Sequence, residues 1–478
     1  MKKIIRYLLV AVLTSLFSSA TYAQVATVNL TNIKQSIDGF GASTAFDGQI
    51  TQAQADVAFG NSNGQLGLTI LRVRIDPSQA WTSEKANAQK AKAYGAMILA
   101  TPWTPPASMK TNNNTVGGQL STASYAAYAA YLKSFCDNLG NVDVVSVQNE
   151  PNITVTYESC TWSATQLLNF CKSNASAIGK PIIMPETYNF DISYSDPTLN
   201  DATAVSNITY IGLHLYGATM KSYTNALNKG KKLWMTEYYL NPDDIGTCLT
   251  IGKQILDCMY NNMSAYVWWY LRMAGCNIIN SNGSILKKGY TLAQFSKFVR
   301  PGCHRVDATY QPQTGVSVVA FNGAQAVIVA INQNTSSKSQ TFTFQNGTVT
   351  TVAKYTTSSS KSLSNDGNVA VSGNSFTTTL DAQSITTFVG TAATTFAFYG
   401  AGPAPSANVF NFNALPAGDI SLVLYSLSGQ RYAEKKAFNR QSGPISPNQE
   451  FNDIAPGAYI LQMTAGNKTY GTIKLNTK

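Results

Sequence analysis

The chain has 478 residues, of which 44% are hydrophobic and only 12% are charged, whereas charged residues make up ~25% of a typical globular chain. Disordered chains and coiled coils need many more charges, so both classes are excluded. The formal net charge is +10, but the basic residues are scattered beyond the start of the chain. No nucleic-acid partner is therefore expected. A chain of this length is expected to form about three domains.

The N-terminus has the pattern of a secretory signal peptide. Lys2, Lys3 and Arg6 form a basic start. The apolar run at residues 7–17 is too short to span a bilayer and leads through small residues to Ala23. We expect cleavage after Ala23 and therefore an exported protein, either secreted or held at the cell surface.

The chain contains seven cysteines and two histidines. An odd number of cysteines leaves at least one thiol unpaired or in an intermolecular link, and the pairing of the others stays open. No two cysteines have CxxC spacing, and two histidines are too few for a Cys/His cluster. The sequence therefore predicts structural cysteines, no metal site and no cofactor.

Residues 36–300 alternate short β-type runs with longer amphipathic or Ala-rich stretches, such as those at residues 122–137, 163–177 and 247–261. Strands that alternate with helices indicate βαβ units and a parallel sheet. Eight such units over this length predict an α/β fold, the (β/α)8 TIM barrel. The eight predicted strands are residues 36–41, 69–76, 97–103, 142–150, 181–186, 210–217, 233–238 and 265–272.

After residue 300 the pattern changes to all-β, because polar and apolar side chains alternate at residues 316–332 and 340–355. The strand-like N-terminal segment is expected to join the same sheets, so a β-sandwich side domain would be built from both ends of the catalytic region. The predicted boundaries are a signal peptide at 1–23, an N-terminal strand of the side domain at 24–35, the barrel at 36–300, the β-sandwich at 301–391, a linker at 392–406 and a small C-terminal all-β domain at 407–478.

Polar and aromatic side chains collect at the ends of the predicted barrel strands, where barrel enzymes have their active sites. Glu150 ends the fourth strand and Glu237 ends the seventh, so the two should face each other across the barrel mouth. Glycoside hydrolysis needs such a pair, because one carboxyl group protonates the leaving oxygen and the other meets the oxocarbenium-like carbon. The alternative is two exposed loop glutamates without a catalytic role.

Arg72 and Arg74 project to one side of their predicted strand, while the aliphatic residues between them project to the other. An arginine inside a barrel needs a carboxylate partner, and Glu237 is the candidate. Such a pair is expected to keep the pKa of Glu237 low and its carboxylate ionised. Both arginines are therefore predicted to support the site, as are Glu186 and Asp76 at two other strand ends.

Several motifs carry a family resemblance. The segments at residues 148–151 and 234–237 look like the acid/base and nucleophile motifs of clan A glycoside hydrolases. More narrowly, the chain resembles the family 30, subfamily 8 xylanases, the glucuronoxylanase group, over about residues 25–391. The stretches that carry this narrower resemblance are residues 70–77, 100–106, 214–217, 265–270 and 295–302.

The resemblance implies a secreted endo-β-1,4-xylanase that hydrolyses the xylan backbone by double displacement with retention. Glu150 would be the acid/base and Glu237 the nucleophile. The expected substrate is xylan, as glucuronoxylan or arabinoxylan, and the expected state is a monomer. The residues implied to line the sugar sites are Trp103, Asn149, His214, Tyr216 and Trp269.

The chain departs from the subfamily where a glucuronate branch is bound. The group has two arginines after the eighth strand, but here only Arg272 remains as a candidate to bind substrate. Asp243 and Asp244, after the seventh strand, would repel a uronate. Glucuronate-directed cleavage is therefore not expected to be required. Two alternatives stay open: another clan A β-glycosidase, such as a glucosidase or galactanase, or a non-catalytic xylan-binding protein.

The C-terminal unit resembles the type A sorting domain of Bacteroidetes type IX secretion at residues 418–430, 454–461 and 471–478. This resemblance implies that the outer-membrane secretion machinery is a partner. The alternative is a small carbohydrate-binding module. Against that alternative, the unit contains tyrosines but no tryptophan.

Overall fold

The computed structural model describes residues 24–218 and 220–392, with further strands up to residue 477. The predicted signal peptide and nearly all of the predicted linker lie outside the described residues. Among the helices of the described part, none is long and apolar enough to cross a membrane.

Strand β1 (Val25–Ser36) is followed by eight parallel strands that close into a barrel. The ring is sequential and closes where the last strand pairs with the first. The predicted barrel is therefore confirmed. Its strands are β2 (Gly39–Ser43), β3 (Ile70–Arg74), β4 (Met97–Thr101), β5 (Val144–Ser146), β6 (Ile182–Thr187), β7 (Tyr210–His214), β8 (Lys232–Glu237) and β9 (Met263–Trp268).

Helices connect the barrel strands, and two of them begin with a capping box. Thr51 and Ser163 each accept a hydrogen bond from a backbone N–H of the first turn, and a glutamine side chain bonds back to the cap. The helices are α1 (Gln52–Phe59), α2 (Thr82–Ala93), α3 (Tyr125–Leu139), α4 (Ala164–Ser173), α5 (Asp196–Asn200), α6 (Ala202–Ser206), α7 (Thr224–Asn228), α8 (Ile245–Tyr260) and α9 (Lys287–Ser296).

The barrel interior has an apolar lower layer and a charged upper layer. Strand β3 shows the change, because Ile70 lies in the apolar interior cluster and Arg72, two residues on, is fully buried above it. Leu71 and Val73 point outward into the core shared with the helices. The charged layer lies at the carboxyl ends of the strands. The apolar lower layer closes the barrel beneath it.

The side domain is a nine-stranded sheet with its own apolar core. Strand β1 pairs antiparallel with β10 (His304–Ala308) and parallel with β13 (Lys338–Gln345), so both ends of the region contribute to it. The predicted β domain beside the barrel is thus confirmed. Its other strands are β11 (Val316–Asn322), β12 (Ala326–Asn332), β14 (Val349–Thr357), β15 (Ser364–Ala370), β16 (Ser375–Leu380) and β17 (Ser384–Ala392).

The side domain packs closely on the last two barrel helices. A Cβ added at Gly252 of α8 would lie 2.6 Å from Ile385 Cδ1, so the helix can approach the sheet only because it has glycine there. On α9, Gln294 Nε2 donates to Thr357 Oγ1 at 2.9 Å, and Thr387 Oγ1 donates to the Gln294 backbone oxygen at 2.7 Å. Barrel and side domain therefore share one buried contact surface.

The described part of the C-terminal region consists of strands. They are β18 (Phe410–Asn411), β19 (Gly418–Ser426), β20 (Arg431–Arg440), β21 (Pro444–Ile445), β22 (Gly457–Ala465) and β23 (Lys468–Thr477). Four of them form an antiparallel sheet in the order β20-β19-β22-β23, and β18 pairs with β21.

The seven cysteines all lie in the described residues and are free thiols. Cys276 is partly exposed and the other six are buried. Burial raises the pKa of Cys136 and of Cys171 to about 12. These two thiols stay protonated and pack as small apolar side chains.

Candidate active site

Glu150 and Glu237 lie together at the mouth of the barrel. Glu237 ends β8, and Glu150 follows β5 with a φ of 44°, in the left-handed region. Both are nearly buried, with 7% and 6% of their surface exposed. One carboxylate oxygen of each, with a ring nitrogen of His214, forms a group whose atoms all lie within 4.8 Å of one another. Retaining glycosidases have carboxyl groups ~5–5.5 Å apart and inverting ones 6.5–9.5 Å, so the spacing fits retention.

Arg72 is the ion-pair partner of Glu237. Its Nη1 donates to Glu237 Oε2 at 2.5 Å, and its Nη2 donates to Asn149 Oδ1 at 2.7 Å. Nη2 also lies 3.3 Å from Glu186 Oε1, and Nε donates to Thr101 Oγ1 at 3.2 Å. A fully buried guanidinium needs such partners, because an unpaired charge inside a protein costs several kcal/mol.

Arg74 lies on the same face of β3 but at the outer rim, away from the glutamate pair. Its Nε donates to Glu158 Oε2 at 3.0 Å and its Nη1 to Asp76 Oδ2 at 2.5 Å. Its guanidinium carbon lies 4.4 Å from the ring centre of Phe46. Arg74 therefore ties rim loops together, and Asp76 is its partner.

The two oxygens of Glu237 are held from opposite sides. Arg72 binds Oε2, and Tyr216 Oη donates to Oε1 at 3.1 Å. His214, at the end of β7, hydrogen-bonds Glu150 Oε1 through Nδ1 at 2.9 Å. Asn149 is anchored by Arg72 and by its own N–H, which donates to the Pro102 oxygen at 2.9 Å. The carboxylates, the amide and the imidazole thus form one network.

The pKa of Glu237 is raised, so the expectation of a lowered value is wrong. Burial raises it, and the Glu150 carboxylate raises it further, while His214 and Arg72 lower it. The arginine is visible in the sequence, whereas the burial of the Glu237 carboxyl group is not.

Glu186 and His214 also have strongly shifted pKa values in this buried cluster. Burial raises the pKa of Glu186, but Arg72 and His214 outweigh it and hold the value at about 2. Burial lowers the pKa of His214, but Glu237, Glu150 and Glu186 raise it to about 9. Arg72 and His214 therefore place two positive charges beside the carboxyl groups of the cluster. Double displacement needs one carboxyl group protonated and one ionised.

Two groups of aromatic rings flank the glutamates. Trp103 and Trp269 stack with ring centres 5.4 Å apart, and Arg72 lies 4.7 Å from the Trp103 ring centre. Phe46 stands edge-on to Trp103 at 5.2 Å and is 41% exposed. Phe46 was not singled out in the sequence, because it lies in the loop after β2, where no strand period applies.

The second group of rings is built from tyrosines. Tyr216 stacks on Tyr188 at 5.1 Å and on Tyr238 at 5.3 Å, and meets Tyr239 edge-on at 5.8 Å. Tyr157 is 53% exposed, and burial together with the charges of Glu150 and Glu237 raises its pKa to about 12. Only Tyr216 was predicted as a site residue. Tyr188 and Tyr239 were missed, although both lie directly after predicted strand ends, and this position could have identified them as site residues.

Arg272 does not reach the glutamate pair. Its Nε lies 3.3 and 3.4 Å from the two carboxylate oxygens of Asp47, its Nη1 donates to Gln54 Oε1 at 3.1 Å, and its Nη2 donates to the Asp47 backbone oxygen. The structure thus places this predicted substrate-binding residue in a contact with the loop after β2. The direction of the Arg272 guanidinium depends on the conformation of its loop. That conformation does not follow from the position of the strand.

Asp243 and Asp244 are used as helix caps. Asp243 accepts hydrogen bonds from the backbone N–H groups of Lys287 and Lys288 at the start of α9, and Asp244 accepts one from Thr247 at the start of α8. Both carboxylates are therefore held by backbone donors. They fix the loop after β8 between two helices.

Glu150, His214 and Glu237 are near enough to share a metal ion. Their donor atoms are already engaged, since His214 bonds Glu150 and Arg72 bonds Glu237. A cation there would also meet Arg72 and the His214 imidazolium. The donor set fits an ion-pair network better than a metal centre.

A barrel with two close carboxyl groups at its mouth, held by an arginine and flanked by aromatic rings, defines a glycoside hydrolase. No family model matches the sequence. The sequence is 40% identical over 390 residues to glucuronoxylanase XynC of Bacillus subtilis strain 168, and the match covers 77% of this chain and 92% of the relative.

Solved structures agree with that relative. The glycoside hydrolase family 30, subfamily 8 xylanase Xyn30A from Clostridium acetobutylicum is 43% identical, with a TM-score of 0.75 over 77% of this chain and 100% of that chain. A GH30 endoxylanase from Clostridium papyrosolvens C71 is 41% identical, with a TM-score of 0.73 over the same shares. The chain belongs to the glycoside hydrolase family 30 xylanases.

Proposed function

We propose that this protein is a retaining endo-β-1,4-xylanase that cleaves the xylan backbone by double displacement, with Glu150 as acid/base and Glu237 as nucleophile. The spacing of the two carboxyl groups, with oxygens within 4.8 Å, carries the proposal. The names of the relatives, a glucuronoxylanase and two family 30 xylanases, supply the substrate class.

In the first step a Glu237 oxygen bonds to the anomeric carbon while Glu150 gives its proton to the departing glycosidic oxygen. In the second step water attacks that carbon, Glu150 takes the proton of the water, and the bond to Glu237 breaks. Arg72 and Tyr216 fix the nucleophile, because they hold its two oxygens from different sides. Asn149, whose Oδ1 is bound to Arg72, can offer its NH₂ group to a sugar 2-hydroxyl.

The rings of Trp103 and Trp269 provide flat apolar faces next to the nucleophile. Sugar C–H faces pack on such rings, and the pair is stacked beside Arg72. Tyr216, on the opposite side, carries both a ring face and the hydroxyl that binds Glu237. We assign these three side chains to the sugar sites that adjoin the scissile bond.

We infer that cleavage does not depend on a glucuronate branch. Capture of a uronate needs a free guanidinium fork, whereas the Arg272 guanidinium is bound to Asp47 and Gln54. The capping role of Asp243 leaves a carboxylate, not a cation, in the neighbouring loop. Both contacts support an enzyme that recognises the xylose backbone without binding a glucuronate branch.

The test is mass-spectrometric product analysis on glucuronoxylan, arabinoxylan and linear xylooligosaccharides, with Glu237→Gln as the inactive control. A ladder of neutral xylooligosaccharides is the expected result. Products that each carry one glucuronate, with linear oligomers left intact, would overturn the inference on the branch. No cleavage of any of the three would overturn the xylanase assignment and direct attention to other β-linked sugars.

We further propose that the protein acts as a monomer after export, with the C-terminal strands forming a sorting domain for the outer-membrane secretion machinery. The basic and apolar N-terminus and the motifs at residues 418–430 and 454–461 support this route. N-terminal sequencing of the mature protein should begin at Gln24. Deletion of residues 407–478 should trap the enzyme inside the cell envelope, and export of the shortened chain would contradict the sorting role.

A further inference from the structure

Glu186 is a fully buried carboxyl group of β6 to which the proposed reaction assigns no step. Its Oε1 lies 3.3 Å from Arg72 Nη2, and its Oε2 accepts a hydrogen bond from Thr101 Oγ1 at 3.3 Å. Its φ is 54°, a conformation that side-chain-bearing residues rarely adopt. A Cβ added at Gly212 of the adjacent β7 would lie 2.7 Å from Glu186 Cγ. The glycine at position 212 thus leaves room for the Glu186 side chain, whose backbone is held in a strained conformation.

The Glu186 carboxylate faces the far side of His214. His214 Nε2 lies 3.9 Å from Glu186 Oε1, while Nδ1 lies 2.9 Å from Glu150 Oε1. Neither Nε2 nor that Oε1 has a hydrogen-bond partner among the described residues. Each ring nitrogen therefore faces a carboxyl oxygen. A neutral imidazole has one N–H and one lone pair, so it would turn a lone pair toward one of the two oxygens.

The charges around His214 favour the doubly protonated ring. Glu186 faces it from β6, Glu150 from the loop after β5 and Glu237 from β8, whereas Arg72, on β3, is the opposing cation. Tyr216 contributes a ring edge at 6.1 Å. Burial lowers the pKa of His214, but the three carboxyl groups raise it to about 9.

We propose that Glu186 is a positioning residue that keeps His214 doubly protonated, so that Glu150 always faces an N–H donor. This inference rests on the proposed role of Glu150 as acid/base. When the glycosidic C–O bond breaks, the proton of Glu150 moves to the leaving oxygen, and the electron pair of its O–H bond stays on Glu150. The new carboxylate then meets the Nδ1–H of His214, which stabilises its charge without moving.

The same contact serves the second step. The Glu150 carboxylate takes a proton from the attacking water, the water oxygen bonds to the anomeric carbon, and the bond to Glu237 breaks. His214 keeps both of its protons throughout. Without the Glu186 charge, His214 can be neutral, and the tautomer with its proton on Nε2 would turn the Nδ1 lone pair toward Glu150 and compete with the substrate for the proton.

The first experiment is histidine NMR on the full chain with Glu186→Gln, which keeps the shape and removes the charge. The chain has two histidines, so each ring nitrogen can be followed after ¹⁵N-histidine labelling, and His304→Gln assigns the signals. His214 should lose its proton at least about one pH unit lower in Glu186→Gln, the shift expected when a nearby carboxylate is removed. The His304 signal should titrate as in wild type. An unchanged His214 titration would overturn the proposal.

The second experiment separates acid catalysis from folding. An aryl β-xylobioside with an acidic phenol needs no proton donor, whereas xylan does. Glu186→Gln should lower kcat on xylan by about tenfold or more, within the range of general acid catalysis. On the aryl β-xylobioside, the rate of the bond-breaking step should change little. Equal losses on both would mean that Glu186 acts through Arg72 and the nucleophile, which would overturn the proposal.

Glu84→Gln is the matched control, because Glu84 is also a buried glutamate (8% exposed) but bonds Thr44 and Asn87. It should leave the His214 titration and the leaving-group dependence as in wild type. Wild-type protein that is inactive on xylan would contradict the proposed function, and the NMR titration would still decide the charge state of His214.

Discussion

Arg72 Nη1 lies 2.5 Å from Glu237 Oε2, although the two residues are 165 positions apart in the chain. They belong to strands β3 and β8, which the barrel closure brings within three steps of each other, through β9 and β2. Nη2 of Arg72 also donates to Asn149, and its Nε donates to Thr101. The guanidinium therefore has one orientation, and the nucleophile carboxylate is placed by the barrel itself.

Arg72→Met should destabilise the protein strongly. The change leaves Glu237 and Glu186 as buried carboxylates without their cation, and breaking a buried ion pair costs about 3–5 kcal/mol of unfolding free energy. Urea unfolding at neutral pH measures this loss. Arg74→Met is the matched control from the same strand face, because its partners lie at the partly exposed rim, and it should cost clearly less. Equal losses would contradict the assigned role of the buried cluster.

Glu150→Gln should reduce kcat on xylan by about 10²–10⁴-fold, because the variant cannot protonate the leaving oxygen. On an aryl β-xylobioside with an acidic phenol, the first step should survive, and added azide should speed turnover by replacing water. Steady-state kinetics with and without azide give the measurement. A variant that is equally impaired on both substrates and insensitive to azide would argue against the acid/base assignment.

Tyr216→Phe should lower kcat/KM on xylan by about 10–100-fold. A hydrogen bond to a charged group is worth about 1.5–3 kcal/mol, and each 1.36 kcal/mol is a factor of ten in rate. The ring and its stacking on Tyr188 and Tyr238 are kept, so the loss reports the hydroxyl that binds Glu237. Michaelis–Menten kinetics measure the change, and an effect confined to KM would show that the hydroxyl contributes only to substrate binding.

Arg272→Ala should leave the ratio of rates on glucuronoxylan and linear xylan unchanged. Burial raises the pKa of Asp47, and Arg272 opposes this, so the substitution leaves a poorly solvated carboxylate in the loop after β2. The cost is about 1–3 kcal/mol in unfolding free energy. Paired hydrolysis assays and thermal melts provide the test. A selective loss on glucuronoxylan would show that Arg272 binds the branch.

The buried cluster should give the protein a stability window. The pKa of Glu186 falls from its ordinary 4.5 to about 2, so its contribution is present above pH 4.5 and is lost as the pH falls toward 2. The pKa of His214 rises from its ordinary 6.5 to about 9, so its contribution is complete below pH 6.5 and is lost as the pH rises through 9. The raised pKa of Glu237 adds a loss of stability as the pH rises above its ordinary 4.5. Urea unfolding from pH 3 to 10 should therefore show stability falling toward both ends of this range. His214→Asn should flatten the alkaline decline.

The sequence predicted those parts of the site that follow from regular alternation. Arg72 was placed inside the barrel because side chains of a strand alternate between two faces, and Glu150 and Glu237 were placed at the mouth because strand ends meet there. These arguments need only the strand period and the strand order. The barrel and the side domain were predicted on the same grounds.

Loops and electrostatics were beyond that kind of argument. Phe46 and Tyr157 reach the site from segments without a period, and Arg272 turns to Asp47 because of the conformation of another loop. The raised pKa of Glu237 depends on its burial and on the distance to Glu150, which no motif encodes. The sequence therefore identified the chemistry better than the shape of the cleft.

The position of β1 has a consequence for how the chain is made. The Thr27 N–H donates to Thr309 Oγ1, 282 residues further on, and β1 lies between β10 and β13. A ribosome delivers the first strand of this sheet long before its neighbours, and pairing across such a separation is slow. Strand β1 therefore has no pairing partner until the whole barrel has been synthesised. The barrel and the side domain cannot be separated by cutting the chain between them, since removal of β1 would detach β13 and β16 from the other six strands of the sheet.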